Sequence, residues 1–171
     1  RIVLDANIYT MNNRAEAFWM KKGILGDTVP LELNAKELVH RNNKNSELTV
    51  YGYTPMMVSV QCVQKTMDHC NHACVQYVLK DRYQKEFRGV CSCEFCYNTI
   101  YNTLPTSLLK EKEKAEKLGV KAYRLSFTIE TQQETEKIVR AFVDVYLRGQ
   151  KPDGQMQTEE TTKGHFQRGV E

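Results

Sequence analysis

Two periods of apolar positions alternate along the chain. Residues 1–9 (RIVLDANIY), 28–33 (TVPLEL), 47–52 (ELTVYG) and 120–128 (VKAYRLSFT) carry the dense apolar runs expected of strands. Between and after them the spacing lengthens to that of helices. Asn12 or Asn13 opens the first helix, with Glu16 as the reciprocal cap three residues after Asn13. Ala15, Phe18 and Trp19 form its apolar stripe and Gly23 stops it. Asn34 and Glu37 repeat the capping spacing and open a short helix through residue 42, and the polar run 41–46 reads as a loop. Helix 107–118 turns Leu108, Ala115 and Leu118 inward, pairs Glu113 with Lys117 outside, and ends at Gly119. Thr131 and Glu134 cap a last helix lined by Ile138, Phe142 and Val145, which runs to Arg148.

The stretch 61–102 breaks this rhythm. The apolar run 56–60 leads into it after Pro55. Within it, 75–81 and 85–90 alternate apolar and polar residues around 81–84, the pattern of a β-hairpin, and 97–104 is a further extended segment. After Gly149 and Pro152 the tail 150–171 turns polar, and only GHFQRGV near its end has the character of a segment that docks back. Strand and helix thus alternate about four times with short connections. This predicts an α/β fold with a parallel sheet and helices outside, either an open sheet or a (β/α) barrel. Four units are half of a barrel's eight, so the expectation is the C-terminal half of a TIM-like (β/α) barrel over 1–149, interrupted by a cysteine-rich hairpin insert at 61–102. Arg1 is read as a truncation point, with the rest of the barrel upstream.

Size and charge exclude little. A chain of 171 residues can bury a core of its own. The net charge of +3 permits contact with a polyanion such as RNA without demanding it. No apolar run approaches the roughly 20 residues of a membrane span, and no signal peptide opens the chain, so a cytoplasmic protein with no membrane partner is expected. Its oligomeric state is not legible.

All six cysteines fall in the insert, at 62, 70, 74, 91, 93 and 96. Grouped cysteines in an intracellular chain with a core favour a metal over disulfides or inert thiols. The tightest element is Cys93-Glu-Phe-Cys96, a C-x-x-C turn. Cys62 and Cys70 supply a second pair, giving a set of four thiolates that suits an iron–sulfur cluster or zinc, and spacing does not separate the two. Cys74 can stand in for Cys70 and Cys91 for Cys93. His69 and His72 flank Cys70 as further zinc ligands or as solvated neighbours. The pairing of hairpin ends would bring the cysteine groups together in space. Elsewhere, Asn7, Tyr9, Glu32, Asn34, Tyr53 and Glu130 fall near the C-terminal ends of strands, where barrel enzymes keep their chemistry. Asn34 is equally a helix cap, and Glu130 equally a residue placed at a helix start by its charge. Arg124, flanked by apolar residues in a strand, needs an anionic substrate or a carboxylate partner. Catalytic candidates are therefore Glu32, Arg124 and Glu130. No Ser–His–Asp order, P-loop or Gly-rich dinucleotide motif is present.

The segments TVPLELNAKEL, ELTVYGYTPMMVSVQC, LKDRYQKEF, CEFCYNTIYNTLPTSLL, RLSFTIE and TKGHFQRGVE, taken in order, resemble the C-terminal part of the barrel of the U32 peptidase family. Residues 51–62 and the CYNTIYN block carry the resemblance most specifically, and it spans nearly the whole chain. It implies a TIM-like catalytic barrel whose N-terminal part is the missing partner of this piece. It also implies a [4Fe-4S] cluster on Cys62, Cys70, Cys93 and Cys96, while Cys74 and Cys91 lie outside the family pattern. The activity it implies is either collagenase-like peptide hydrolysis or iron–sulfur-dependent hydroxylation of RNA bases or of quinone precursors. RNA or a peptide is then the substrate, with a structural zinc-binding module as the plainer alternative. The cysteine spacing and the hairpin depart from the family's shorter subgroup.

Overall fold

The computed structural model describes residues 2–68, 70–153 and 160–169. Strands β1 (Val3–Leu4), β2 (Gly26–Thr28), β3 (Ser46–Gly52) and β9 (Ala122–Ser126) lie side by side and parallel, in the order in which the chain makes them. Helix α1 (Asn13–Lys21) connects β1 to β2, and α2 (Ala35–Val39) connects β2 to β3. A short strand β8 (Thr106–Ser107) pairs antiparallel with the end of β3. Glu47 faces both β2 and β9, and Gly52 faces both β8 and β9. Hence β9 runs along one edge of β3, while β2 and β8 share the other edge end to end.

The architecture is mixed α/β, and the described residues form no closed barrel. Between β3 and β9 the chain inserts a separate antiparallel sheet: β4 (Pro55–Ser59), β7 (Tyr97–Tyr101), β6 (Glu86–Ser92) and β5 (Gln76–Lys80), in that spatial order. The predicted hairpin is its β5–β6 pair, closed where Asp81 Oδ1 accepts from the backbone N–H groups of Tyr83 and Lys85. β4 is a free edge, and Met56, Met57 and Val58 on it are exposed.

The core lies against β3. Leu48, Val50 and Tyr51 meet Leu38 of α2, Ala115 of α4 (Lys112–Lys117), and Ala141 and Phe142 of α5 (Gln132–Phe142). Leu108, Leu109 and Val145 complete it, Val145 from the π-helical turn Val143–Leu147 that prolongs α5. Burying a side chain of this size contributes roughly 1.5–3 kcal/mol, so these few residues carry much of the fold. Two of the three predicted capping boxes are present, Asn34 with Glu37 and Thr131 with Glu134. The C-terminal segment docks as expected. Thr162 bridges Thr106, and helix α6 (His165–Arg168) sends Phe166 into the core.

Other expectations are corrected. The first strand stops at Leu4 and turns into a 3-10 turn, Ala6–Ile8, ended by Tyr9 in the left-handed region. The second spans Gly26–Thr28 rather than 28–33, because Pro30 has no N–H to continue a ladder. Helix α1 is capped by Asn12, whose side chain accepts from Arg14 and Ala15, so Glu16 falls one position beyond the reciprocal site. Glu16 is instead buried and accepts from Asn42 Nδ2, while Phe18, assigned to the apolar stripe, stands exposed. Among the described residues no helix is long and apolar enough to cross a membrane.

Candidate functional site

Two regions carry the chemistry. The first is a cavity of about 530 Å³ at the carboxyl ends of the parallel strands. Thr28, Gly52 and Ser126, the last residues of β2, β3 and β9, open into it, as does Asp5 just after β1. Ligands of parallel α/β sheets bind at this end because the connecting loops converge there. Leu33, Leu38, Leu48, Leu108 and Phe166 make its apolar floor. The second sheet adds Pro55, Met56, Tyr101 and Asn102, and the C-terminal segment adds His165 and Arg168.

Arg124 stands in the wall of this cavity. Its Nη1 donates to Glu47 Oε1 at 2.9 Å and to Thr28 Oγ1 at 3.2 Å, and reaches Asp5 Oδ1 at 3.5 Å. Of the anionic partner and anionic substrate that the sequence left open, the structure supplies a partner, Glu47 on the neighbouring strand with Asp5 beside it, for a guanidinium that is part-exposed rather than buried. Burial raises the Tyr101 hydroxyl above its ordinary range, against a hydrogen bond to Thr128 that lowers it. His165 Nδ1 lies 2.9 Å from Gly169 O, a carbonyl that accepts from an Nδ1–H and so orients the ring. Asn7 and Tyr53 also line the cavity. Among the described residues, Glu32 and Glu130 stand outside its lining. Glu130 Oε2 instead accepts from the backbone N–H groups of Thr128 and Ile129, which shapes the turn before α5. Thr28, Ser126 and Thr128 went unnoticed in the sequence, where only their position at strand ends marks them.

The second region is the cysteine end of the antiparallel sheet. Helix α3 (Val63–Thr66) begins after Cys62, which is 8% exposed. Cys91, near the end of β6, is 0% exposed. Their sulfurs are 3.5 Å apart, and Cys91 Sγ is also 3.5 Å from Cys93 Sγ. The Cys93 thiol donates to Ala73 O at 2.8 Å, so the two cysteine-bearing loops do meet, as hairpin pairing predicts. Of the proposed set, the structure brings Cys62 and Cys93 to a common neighbour, Cys91, which was an alternate. Cys70, Cys74 and Cys96 are exposed, and so is His72. His69 lies outside the described residues.

Burial and the contacts with Cys93 and Cys62 push the Cys91 thiol up to about 12. The backbone N–H of Lys65 and the contact with Cys91 hold Cys62 below its ordinary value. The two neighbours are thus biased oppositely: Cys91 ionises less readily than an ordinary thiol and Cys62 more readily. Two buried polar atoms nearby have no partner among the described residues, Tyr77 Oη and Asn98 Oδ1. Asn98 is Cys91's cross-strand partner, and Tyr77 is opposite Gly89 on the same face.

These donors are of the kind that holds soft metals. Thiolates sharing one tetrahedral ion at Zn–S of about 2.3 Å stand about 3.8 Å apart, close to the spacing seen. In a cubane cluster each thiolate holds its own iron, so its sulfurs stand further apart. Among the described residues, however, no group of three or more His, Cys, Asp or Glu is arranged to hold a metal ion. The region has the donor chemistry of a thiolate centre without its closed arrangement.

β4 and β7 join the two regions. Their Pro55 and Tyr101 ends line the cavity, and their Ser59 and Tyr97 ends reach the cysteines. Four residue steps of strand, about 13 Å, separate the two ends of this ladder. No family model, no curated protein and no solved structure matches the chain.

Proposed function

We propose that this chain is the C-terminal part of a U32-type protein that hydroxylates an aromatic ring, in RNA or in a smaller substrate. The substrate enters the cavity at the strand ends, where Tyr53 and Tyr101 offer aromatic faces and Arg124, Ser126 and Thr128 offer polar anchors. The missing partner is the N-terminal part of the same barrel, which would pair with the free edges at β1 and β9. A cytoplasmic setting goes with this reading.

The observation that carries the proposal is the meeting of the 70–74 and 91–96 loops, with three sulfurs in contact one strand length from the cavity. An iron–sulfur cluster on Cys62, Cys70, Cys93 and Cys96 is the cofactor proposed, with zinc as the alternative metal. It asks the exposed Cys70 and Cys96 to turn inward from the positions they hold here.

Anaerobic purification followed by iron, sulfide and zinc analysis tests it. Stoichiometric iron with acid-labile sulfide is expected, lost in Cys93→Ser and Cys96→Ser and kept in Cys74→Ser. Stoichiometric zinc without sulfide would replace the cluster with a structural metal. Binding of neither metal would end the proposal.

A further inference from the structure

Cys91 has no role in the proposed ligand set, although its sulfur touches two others. We propose that Cys93, Cys91 and Cys62 form a thiol relay, through which an oxidant arriving at the surface closes a buried disulfide between Cys62 and Cys91.

The geometry points to this order. Cys91 Sγ is 3.5 Å from Cys93 Sγ on one side and 3.5 Å from Cys62 Sγ on the other. A small side-chain rotation brings either neighbour to the bonded distance of about 2.05 Å. Only one end of the row reaches the surface: Cys93 is half-buried, while Cys91 and Cys62 are buried. Of these three, Cys93 is the one that a dissolved low-molecular-weight disulfide such as oxidised glutathione reaches.

Each step is a thiolate attack on a disulfide sulfur. Cys93 gives up its proton and attacks oxidised glutathione. The glutathione S–S bond breaks, one glutathione leaves carrying a proton, and the other stays bonded to Cys93. Cys91, passing its proton to the departing glutathione sulfur, then attacks the Cys93 sulfur, so that the second glutathione leaves as its thiol and a Cys91–Cys93 bond remains. Cys62 attacks the Cys91 sulfur in turn, and Cys93 departs as a thiol. In sum, two protein thiols lose two protons and two electrons, and one oxidised glutathione takes them up to become two molecules of glutathione. The final bond joins the start of α3 to β6, two separate elements 29 positions apart. The intermediate bond must close within three residues of one strand end, which is the more strained geometry. The relay does not depend on the iron–sulfur reading, since it needs only the free thiols.

Peptide mapping tests it on the full chain. The protein is reduced, treated anaerobically with oxidised glutathione and a chelator, alkylated and digested with trypsin without reduction. Trypsin separates Cys62 on peptide 45–65, Cys70 and Cys74 on 66–80, and Cys91, Cys93 and Cys96 on 89–110. The expected product links 45–65 to 89–110, with Cys93 and Cys96 alkylated, four of the six thiols remaining and no glutathione retained. Cys91→Ser should keep glutathione on Cys93 and form no link, whereas Cys74→Ser should link as the parent does. A bond through peptide 66–80, stable glutathione adducts without a link in the parent chain, or retention of all six thiols would each overturn the relay.

Discussion

The guanidinium of Arg41 and the carboxylate of Asp27 form an ion pair with side chains 2% and 1% exposed, at the start of the parallel sheet. Arg41 also donates to Thr10 O at 2.8 Å, Asn43 Oδ1 at 3.0 Å and Ser46 Oγ at 2.9 Å, and Ser46 Oγ donates to Asp27 Oδ1 at 2.6 Å. The network ties the loop before α1 to β2 and to the start of β3. Arg41→Ala leaves a buried carboxylate without its countercharge, and the expected loss is about 3–5 kcal/mol. The fall in urea midpoint at constant slope measures it. A loss under about 1 kcal/mol, the range of exposed pairs, would show that Asp27 does not depend on Arg41.

Gly89 lies opposite Tyr77 in the β5–β6 ladder, and a Cβ there would sit 2.3 Å from the Tyr77 ring. The ring occupies the space that a side chain would need. Gly89→Ala should therefore displace Tyr77 and cost about 1–3 kcal/mol, the usual range for overpacking. Hydrogen exchange should quicken in β5 and β6 and stay unchanged in β3. Unchanged protection in the hairpin would mean the ring moves aside freely.

Glu111 receives Lys114 Nζ at 2.6 Å and also pairs with Lys163 of the C-terminal segment. Burial alone would raise its carboxyl, but the two lysines outweigh it and hold the group below the ordinary 4.5. A depressed folded value means stability that is full above the unfolded value and is lost as pH falls through the folded one. Amide protection in α6 should thus hold at pH 6 and fall away below about 4.5. Glu111→Gln should lower it at pH 6 and flatten the dependence. A profile that is the same in both proteins would assign the acid sensitivity elsewhere.

Local signals were legible in the sequence and distant pairings were not. The Asn34–Glu37 and Thr131–Glu134 boxes were readable because each satisfies backbone N–H groups within three residues. The β5–β6 hairpin was readable because alternation and a turn residue, Asp81, lie in one short stretch. Arg41 passed for a loop residue, since its partners Thr10 and Asp27 come from 31 and 14 positions away. Cys91 passed for a surplus thiol because spacing favours the Cys93–Cys96 turn. Only the register of β6 against β5 and β7 reveals that Cys91 points inward beside Cys62. The cavity was half-legible: Arg124 stood out as needing an anionic partner or substrate, but Glu47 becomes its partner only once β3 and β9 are side by side.

The β4–β7 ladder contains an irregularity between Pro55 and Met57, where Pro55 faces Tyr101 and Met57 already faces Ile100. Met56 is the extra residue. Side chains alternate with period two, so one inserted residue inverts the phase of everything beyond it. Residues before and after Met56 therefore put opposite number parity on the same face of the sheet. Deleting Met56 would make the ladder regular and leave both ends with the partners and faces they now have.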